Sequence, residues 1–234
     1  MIYQHRAIIC RRGKLQKRTE LFEKTRLENF ESAGPPLIGS FETITGQDAF
    51  SICWQYRQFK NIEEWAAQQE FVSTKKRNPP TGKTSNISEY VDEVDTYLIQ
   101  LNSNCTPIRT DWEKFSSINK DIKGIFIQNI YRFQLSELEE AISGYFDIIY
   151  PRYDYHGVDH IGLFGTIIGS GSVNRRSLRQ VELIRFEDLS VWEDWRNALK
   201  VDPEYKKLSK ELWFSKVASL DSVIMEPTDF SRIR

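Results

Sequence analysis

The sequence predicts an α+β protein. Two tandem ferredoxin-like βαββαβ repeats pack their antiparallel sheets face to face, as an α/β-barrel pseudo-dimer within one chain. Three observations predict it: a motif written twice, the same order of elements around each copy, and an apolar sheet face in each copy that needs a cover.

The motif is "LIGSFETITG" at 37–46 and "HIGLFGTIIG" at 160–169. Ile38-Gly39 recurs as Ile161-Gly162, a step of 123, and the same step carries Phe41 to Phe164, Thr43 to Thr166 and Gly46 to Gly169. Backwards it joins Ile2-Tyr3 to Ile125-Phe126. Forwards the step grows to 127, where Phe59, Ile62 and Trp65 meet Phe186, Leu189 and Trp192. A period above 100 is too long for a solenoid and marks a duplicated domain.

Each copy opens on a β-rich run, "IYQHRAII" or "GIFIQNIYR". A helix follows. In the second copy Leu135, Leu138, Ala141, Ile142, Tyr145, Ile148 and Ile149 keep the three/four spacing of one buried face, and Ser136 with Glu139 fits a capping box. The Ile-Gly-x-Phe strand comes next and ends at Gly46 or Gly169, where a turn of positive φ is expected. A third strand, "AFSICWQYRQF" or "LRQVELIRF", leads into a second helix, with Asn61 and Asp188 at matching N-cap positions. A last strand closes each copy, near "VDTYLIQL" and "DSVIMEP". Two helices then cover one face of each four-stranded sheet and leave the other bare. Packing the two bare faces together covers both. The division is residues 1–103, a connector at 104–123, and 124–234, with a long loop at 73–88.

Composition bounds the function. The 40% hydrophobic, 28% charged and 13% aromatic residues are those of a globular protein of 234 residues. With 32 basic and 33 acidic residues, the net charge of −1 supplies no field for nucleic acid or an anionic membrane. No apolar run approaches the ~20 residues of a membrane span. Cys10, Cys53 and Cys105 are isolated, which suits a reducing compartment, and the opening "MIYQHRAIICRRGK" has no secretory pattern, so a cytoplasmic protein is expected. "TGKT" at 81–84 lacks the first glycine of a phosphate-binding loop, since Arg77 stands there.

At this point "IYQHRAIICRRGKL" (2–15), the Gly-x-Phe-x-Thr-x-x-Gly strand, "DPEY" (202–205) and "IMEPTDFSRI" (224–233) together resemble NIPSNAP-family domains. The resemblance implies the dimeric α/β-barrel fold already read from the repeat. Relatives of that barrel include cyclases, isomerases, cofactor-free monooxygenases and haem-handling enzymes, besides proteins without known chemistry. The Arg6 position of the first copy is Asn129 in the second, so the two ends of the barrel differ.

Candidate site residues follow from strand parity. Trp54, Tyr56, Val181 and Leu183 are expected under the helices, leaving Gln55, Arg57 and Glu182 between the sheets, as a structural Arg57–Glu182 ion pair or as the lining of a small-molecule site. His5 and His160 are acid/base candidates with Glu182; Arg6, Gln55 and Arg57 would hold an anionic or carbonyl oxygen. Tyr153 and Tyr155, in the aromatic loop "YPRYDYH" with Tyr150 and Arg152, would stack a planar ligand. His156 and His160 have metal-ligand spacing only on a helix, and Gly157 argues against one.

The leading expectation is a small-molecule enzyme of the inter-sheet cavity, of cyclase, isomerase or monooxygenase type, with no classical cofactor and no metal. One alternative is a non-catalytic binding or adaptor protein whose barrel is filled. Another is a haem- or metal-binding barrel enzyme. The partner expected is a small-molecule ligand, with the pseudo-dimer free to associate further as a homodimer.

Overall fold

The computed structural model describes all residues except 29–33, 36, 46–49, 78–86, 106–123, 134, 156–157, 170–177 and 234. Most of the connector, the tip of the loop after Arg77, Gly46 and His156 lie outside the described residues.

The first half runs β1 (Ile2–Cys10), α1 (Leu15–Thr25), β2 (Leu37–Thr43), β3 (Ile52–Phe59), α2 (Ile62–Arg77) and β4 (Val91–Leu101). The second runs β5 (Ile125–Phe133), α3 (Leu138–Gly144), a π-helical turn (Tyr145–Ile149), α4 (Tyr150–Tyr155), β6 (Asp159–Gly169), β7 (Leu178–Phe186), α5 (Leu189–Val201), α6 (Pro203–Leu212) and β8 (Val217–Pro227). This is the expected βαββαβ order twice, with an extra helix, α6, in the second half.

The strands close into one antiparallel barrel in the order β1-β3-β2-β8-β5-β7-β6-β4. The two halves meet at two seams, β2 with β8 and β4 with β6. Beyond the β2–β8 pairing the C-terminal tail lies along β2. Thr228 N and Ile233 N donate to Ser40 O and Ile38 O, and Ser40 N donates to Ser231 Oγ. The Pro-Thr-x-Phe-Ser ending therefore seals one seam.

The repeated glycine-phenylalanine motif has a steric cause. A Cβ on Gly39 would meet the Phe41 ring at 2.6 Å; one on Gly162 would meet Leu101 at 2.5 Å and the Phe164 ring at 3.1 Å. Only glycine lets the ring two residues on lie back over the strand. The register shifts there in both copies, between Leu37 and Gly39 and between His160 and Gly162. Gly169 ends β6 in a pair with Tyr97, and the described glycine with positive φ is Gly13.

Both N-caps of the second helices form. Asn61 Oδ1 accepts from Glu64 N at 3.0 Å and Asp188 Oδ1 accepts from Val191 N at 2.9 Å. The Ser136–Glu139 box does not form: Leu135–Glu137 is a 3-10 turn and the helix starts after it, with no side-chain cap. Residues 73–77, expected in the loop, continue α2.

The strand parity is reversed from expectation. Trp54, Tyr56, Val181 and Leu183 point into the barrel, in one buried cluster with Tyr3, Phe41, Phe126 and Phe164. Gln55, Arg57 and Glu182 alternate with them and face the helix layers. β3 and β7 are buried on both faces, so hydrophobic alternation along them does not reveal which face is inner.

Candidate functional site

The expected site residues fall into three places. His5 is inside the barrel. Arg6, Gln55 and Arg57 lie between the first-half strands and α1/α2. Glu182, His160 and Tyr153 lie between the second-half strands and α3/α4. Tyr155 is the last residue of α4, and its side chain lies outside the described set.

In the barrel, His5 stacks on Trp54, with ring centroids 5.0 Å apart and planes at 6°, and also touches Tyr56 at 4.7 Å. Its Nε2 lies 3.0 Å from Gln128 Oε1, which also accepts a short hydrogen bond from the Tyr56 hydroxyl. Gln128 follows His5 by 123 residues, the repeat step itself, so the pair joins equivalent positions of the two halves. That equality is the sequence signal that could have found Gln128. With Nε2–H donating to the amide oxygen, Nδ1 carries the free lone pair, and it has no partner. Gln128 Nε2 is unpartnered too.

Arg179 completes the group. Its guanidinium lies 4.0 Å from the Tyr97 ring centroid, and it makes no ion pair among the described residues. Burial holds the His5 pKa well below 6.5, with the Arg179 charge adding to the effect. His5 is therefore a neutral imidazole with a bare acceptor nitrogen, next to an unneutralised cation. Sequence parity hid Arg179, whose counterpart one step of 127 earlier is Ile52.

The second-half layer is a closed polar network. Glu182, fully buried, accepts at Oε2 from Asn129 Nδ2 (2.7 Å) and Tyr131 OH (2.9 Å). At Oε1 it accepts from Tyr153 OH (2.6 Å) and Tyr145 OH. His160 Nε2 lies 2.8 Å from Tyr145 OH and 4.0 Å from Glu182. Burial first, and then the Glu182 charge, raises the pKa of all three tyrosines well above 10, so they stay protonated donors. The expected Arg57–Glu182 pair does not exist, because the two side chains lie in different layers. Arg57 Nε donates instead to Pro35 O at 2.9 Å. The stretch read as an aromatic loop is helical through Tyr155, with Pro151 directly after the π-helical turn in one continuous helical run from Leu138. The π-turn before it carries Tyr145 into the cage.

The first-half layer looks different. Ser40, Gln55 and Arg6 form one row across β2, β3 and β1. Arg18 reaches down from α1, its Nη1 3.5 Å from Cys53 Sγ. Both amide atoms of Gln55, and Arg18 Nε, are buried without a partner.

Among the described residues no group of three or more His, Cys, Asp or Glu side chains could hold a metal ion. Among the described residues no helix is long and apolar enough to cross a membrane.

No family model matches the chain, and no curated protein matches it either. Solved structures do. An anthrone oxidase-like protein is similar at TM-score 0.64 and 13% identity, over 97% of this chain and 91% of its own. A proposed monooxygenase of Fusobacterium nucleatum is similar at TM-score 0.61 and 7% identity, over the same shares. The similar structures include several NIPSNAP family proteins. One from Agrobacterium tumefaciens is 23% identical with TM-score 0.41, over 47% of this chain and 91% of its own. At these identities the likeness speaks for the barrel fold, a pseudo-dimer in one chain, and not for a reaction.

Proposed function

We propose that the protein is a small-molecule enzyme that takes a proton from a planar, enolisable organic substrate inside the barrel. The observation that carries this is His5 Nδ1, a neutral, unpartnered base in a closed apolar interior beside the unpaired Arg179. A buried acceptor without a donor costs about 1–3 kcal/mol, which a substrate C–H or O–H at that atom would offset. Tyr56 and His5 share Gln128 Oε1, and this fixes the tautomer that leaves Nδ1 free. Trp54 and Tyr97 supply flat faces for a ring system. Arg179 would hold the enolate oxygen as charge develops. Tyr97 and Arg179, each 9% exposed, are the outermost members of the group, so access is from their side.

With dioxygen as co-substrate the chemistry balances. His5 Nδ1 takes the acidic C–H proton, the enolate carbon gives electrons to O2, and the hydroperoxide loses water. For anthrone, suggested by the anthrone oxidase-like protein of similar fold, the sum is anthrone plus O2 to anthraquinone plus water.

A second reading, a binding protein with a filled barrel, has its own observation: Phe41, Phe126, Phe164 and Met225 pack the interior with almost no exposure. Oxygen uptake with anthrone separates the two. The enzyme reading expects wild-type uptake well above buffer, with His5→Gln lower by about 10²–10⁴, the usual weight of a general base. Wild-type uptake no faster than buffer, or His5→Gln as fast as wild type, overturns it.

A further inference from the structure

The two sheet–helix layers occupy equivalent places and have opposite character. In the second layer the apolar cluster is continuous, from Ile125 and Ile127 through Tyr145 and Ile184 to Trp213, and its buried carboxylate, Glu182, has four hydrogen-bond donors. In the first layer the buried apolar side chains among the described residues form two small clusters: Ile8, Cys10, Leu15 and Cys53 on one side, Ile2, Phe59 and Leu98 on the other. Between them runs the polar row with Gln55 and Arg6. Arg6 stands where the second half has Asn129, Gln55 where it has Glu182, and Arg18 where it has Ala141. The first half therefore carries two added cations and an amide in place of Glu182; its own carboxylate, Glu42, stands one row along β2, where the second half has Gly165.

Those groups are unsatisfied. Gln55 is 1% exposed, and neither its amide oxygen nor its nitrogen has a partner. Arg18 is 4% exposed; it touches the Cys53 thiol and the Phe22 ring face, and its Nε is unpartnered. Arg6 makes no hydrogen bond or ion pair among the described residues, and it is less buried than Gln55 or Arg18. Glu42, one row along β2 beside Cys53, pairs with neither arginine among the described residues, and its Oε1 is buried without a partner. Burial, and then the Arg18 charge, push the Arg6 pKa down to about 10. Thr19 Oγ1 on α1, and both amide atoms of Gln68 on α2, are further unpartnered groups of the same layer.

We propose that Arg6, Arg18 and Gln55 form a binding site, separate from the barrel interior, for a small organic carboxylate that also carries a hydrogen-bond donor. The carboxylate answers the two guanidiniums, whose forks match its geometry. The donor is required by Gln55 Oε1, which a bare anion would leave unpaired. Cross-strand neighbours on one face lie about 5 Å apart, so one small molecule spans Arg6 and Gln55.

Calorimetry on the full chain tests this with malate, succinate and inorganic phosphate as probes. Malate and succinate differ by one hydroxyl. Malate is expected to bind at least about tenfold tighter than succinate, and phosphate weaker than malate, because a site built to bond a hydroxyl rejects the analogue without it. Arg6→Met should weaken malate at least tenfold. Gln55→Leu should erase the malate–succinate difference and leave succinate unchanged. Should Arg6→Met fail to fold, Arg6→Lys keeps the charge without the fork, and weakening of malate is still expected. No heat with malate, phosphate binding as tightly as malate, or variants that bind like wild type overturn the proposal. His5→Gln should bind malate as wild type does, which keeps this test apart from that of the barrel reading.

Discussion

Glu182 offers a test of what holds the second layer together. Replacing it with leucine removes the acceptor of four donors at once. Tyr145 keeps His160 Nε2, but Tyr131, Tyr153 and the Asn129 amide lose their acceptor. At about 1–3 kcal/mol for each stranded donor the gross loss is about 3–9 kcal/mol. Removing a buried carboxylate also relieves its desolvation, worth several kcal/mol, so the expected net loss is about 2–4 kcal/mol. That is a large part of the ~5–15 kcal/mol a domain has in total. Glu182→Gln keeps the shape and one acceptor oxygen, and its new N–H2 can face hydroxyls that turn to accept; about 1 kcal/mol is expected. Urea unfolding read through Trp213, which packs 4.8 Å from Tyr131 and 5.0 Å from Tyr145, reports on the cage directly. The decisive variant adds Tyr131→Phe and Tyr153→Phe to Glu182→Leu. If stranded hydroxyls are the cause, the triple variant recovers most of the loss. Glu182→Leu as stable as wild type, or a triple variant weaker still, refutes the reasoning.

Two other outcomes follow from the geometry. His5 has its folded pKa below the unfolded 6.5, so the unfolded chain binds the extra proton. Its effect on stability is absent above pH 6.5 and destabilising as pH falls from there towards the folded value, by up to about 1.4 kcal/mol per pH unit. Urea midpoints from pH 7.5 to 5 should show that slope, and His5→Gln should flatten it; an unchanged slope counts against a neutral buried imidazole. Asp188→Ala removes the cap on α5 and should cost about 1 kcal/mol, with Asn61→Ala costing about as much on α2, both measured by thermal melting. Asp188→Ala within ~0.2 kcal/mol of wild type would contradict the cap.

Much of the architecture was legible because the chain states it twice. The Gly-x-Phe motif announces a bulge that recurs, and Asn61 and Asp188 cap helices by purely local rules. Parity was not legible. In a closed barrel both faces of β3 and β7 are buried, and Gln55, Arg57 and Glu182 went to the side that intuition reserved for apolar residues. The Glu182 cage was hidden for another reason. Its donors come from β5, the π-turn and α4, between residues 129 and 153, and no periodicity links them to β7. The Ser136–Glu139 box failed because a 3-10 turn, which short local patterns do not specify, displaced the helix start.

The His5–Gln128 contact shows what joining two copies in one chain allows. In an assembly of two identical chains, a side chain on the symmetry axis must face itself. Two histidines there would compete as donor and acceptor, and every change would be made twice. Fusion lifts that rule. One half keeps an imidazole while the other supplies an amide oxygen, so the proton has one settled address and the opposite nitrogen is left bare. The same freedom lets one layer fill with tyrosines around a carboxylate while the other gathers arginines. A single ancestral surface thus becomes two unlike ones, each able to change without its twin.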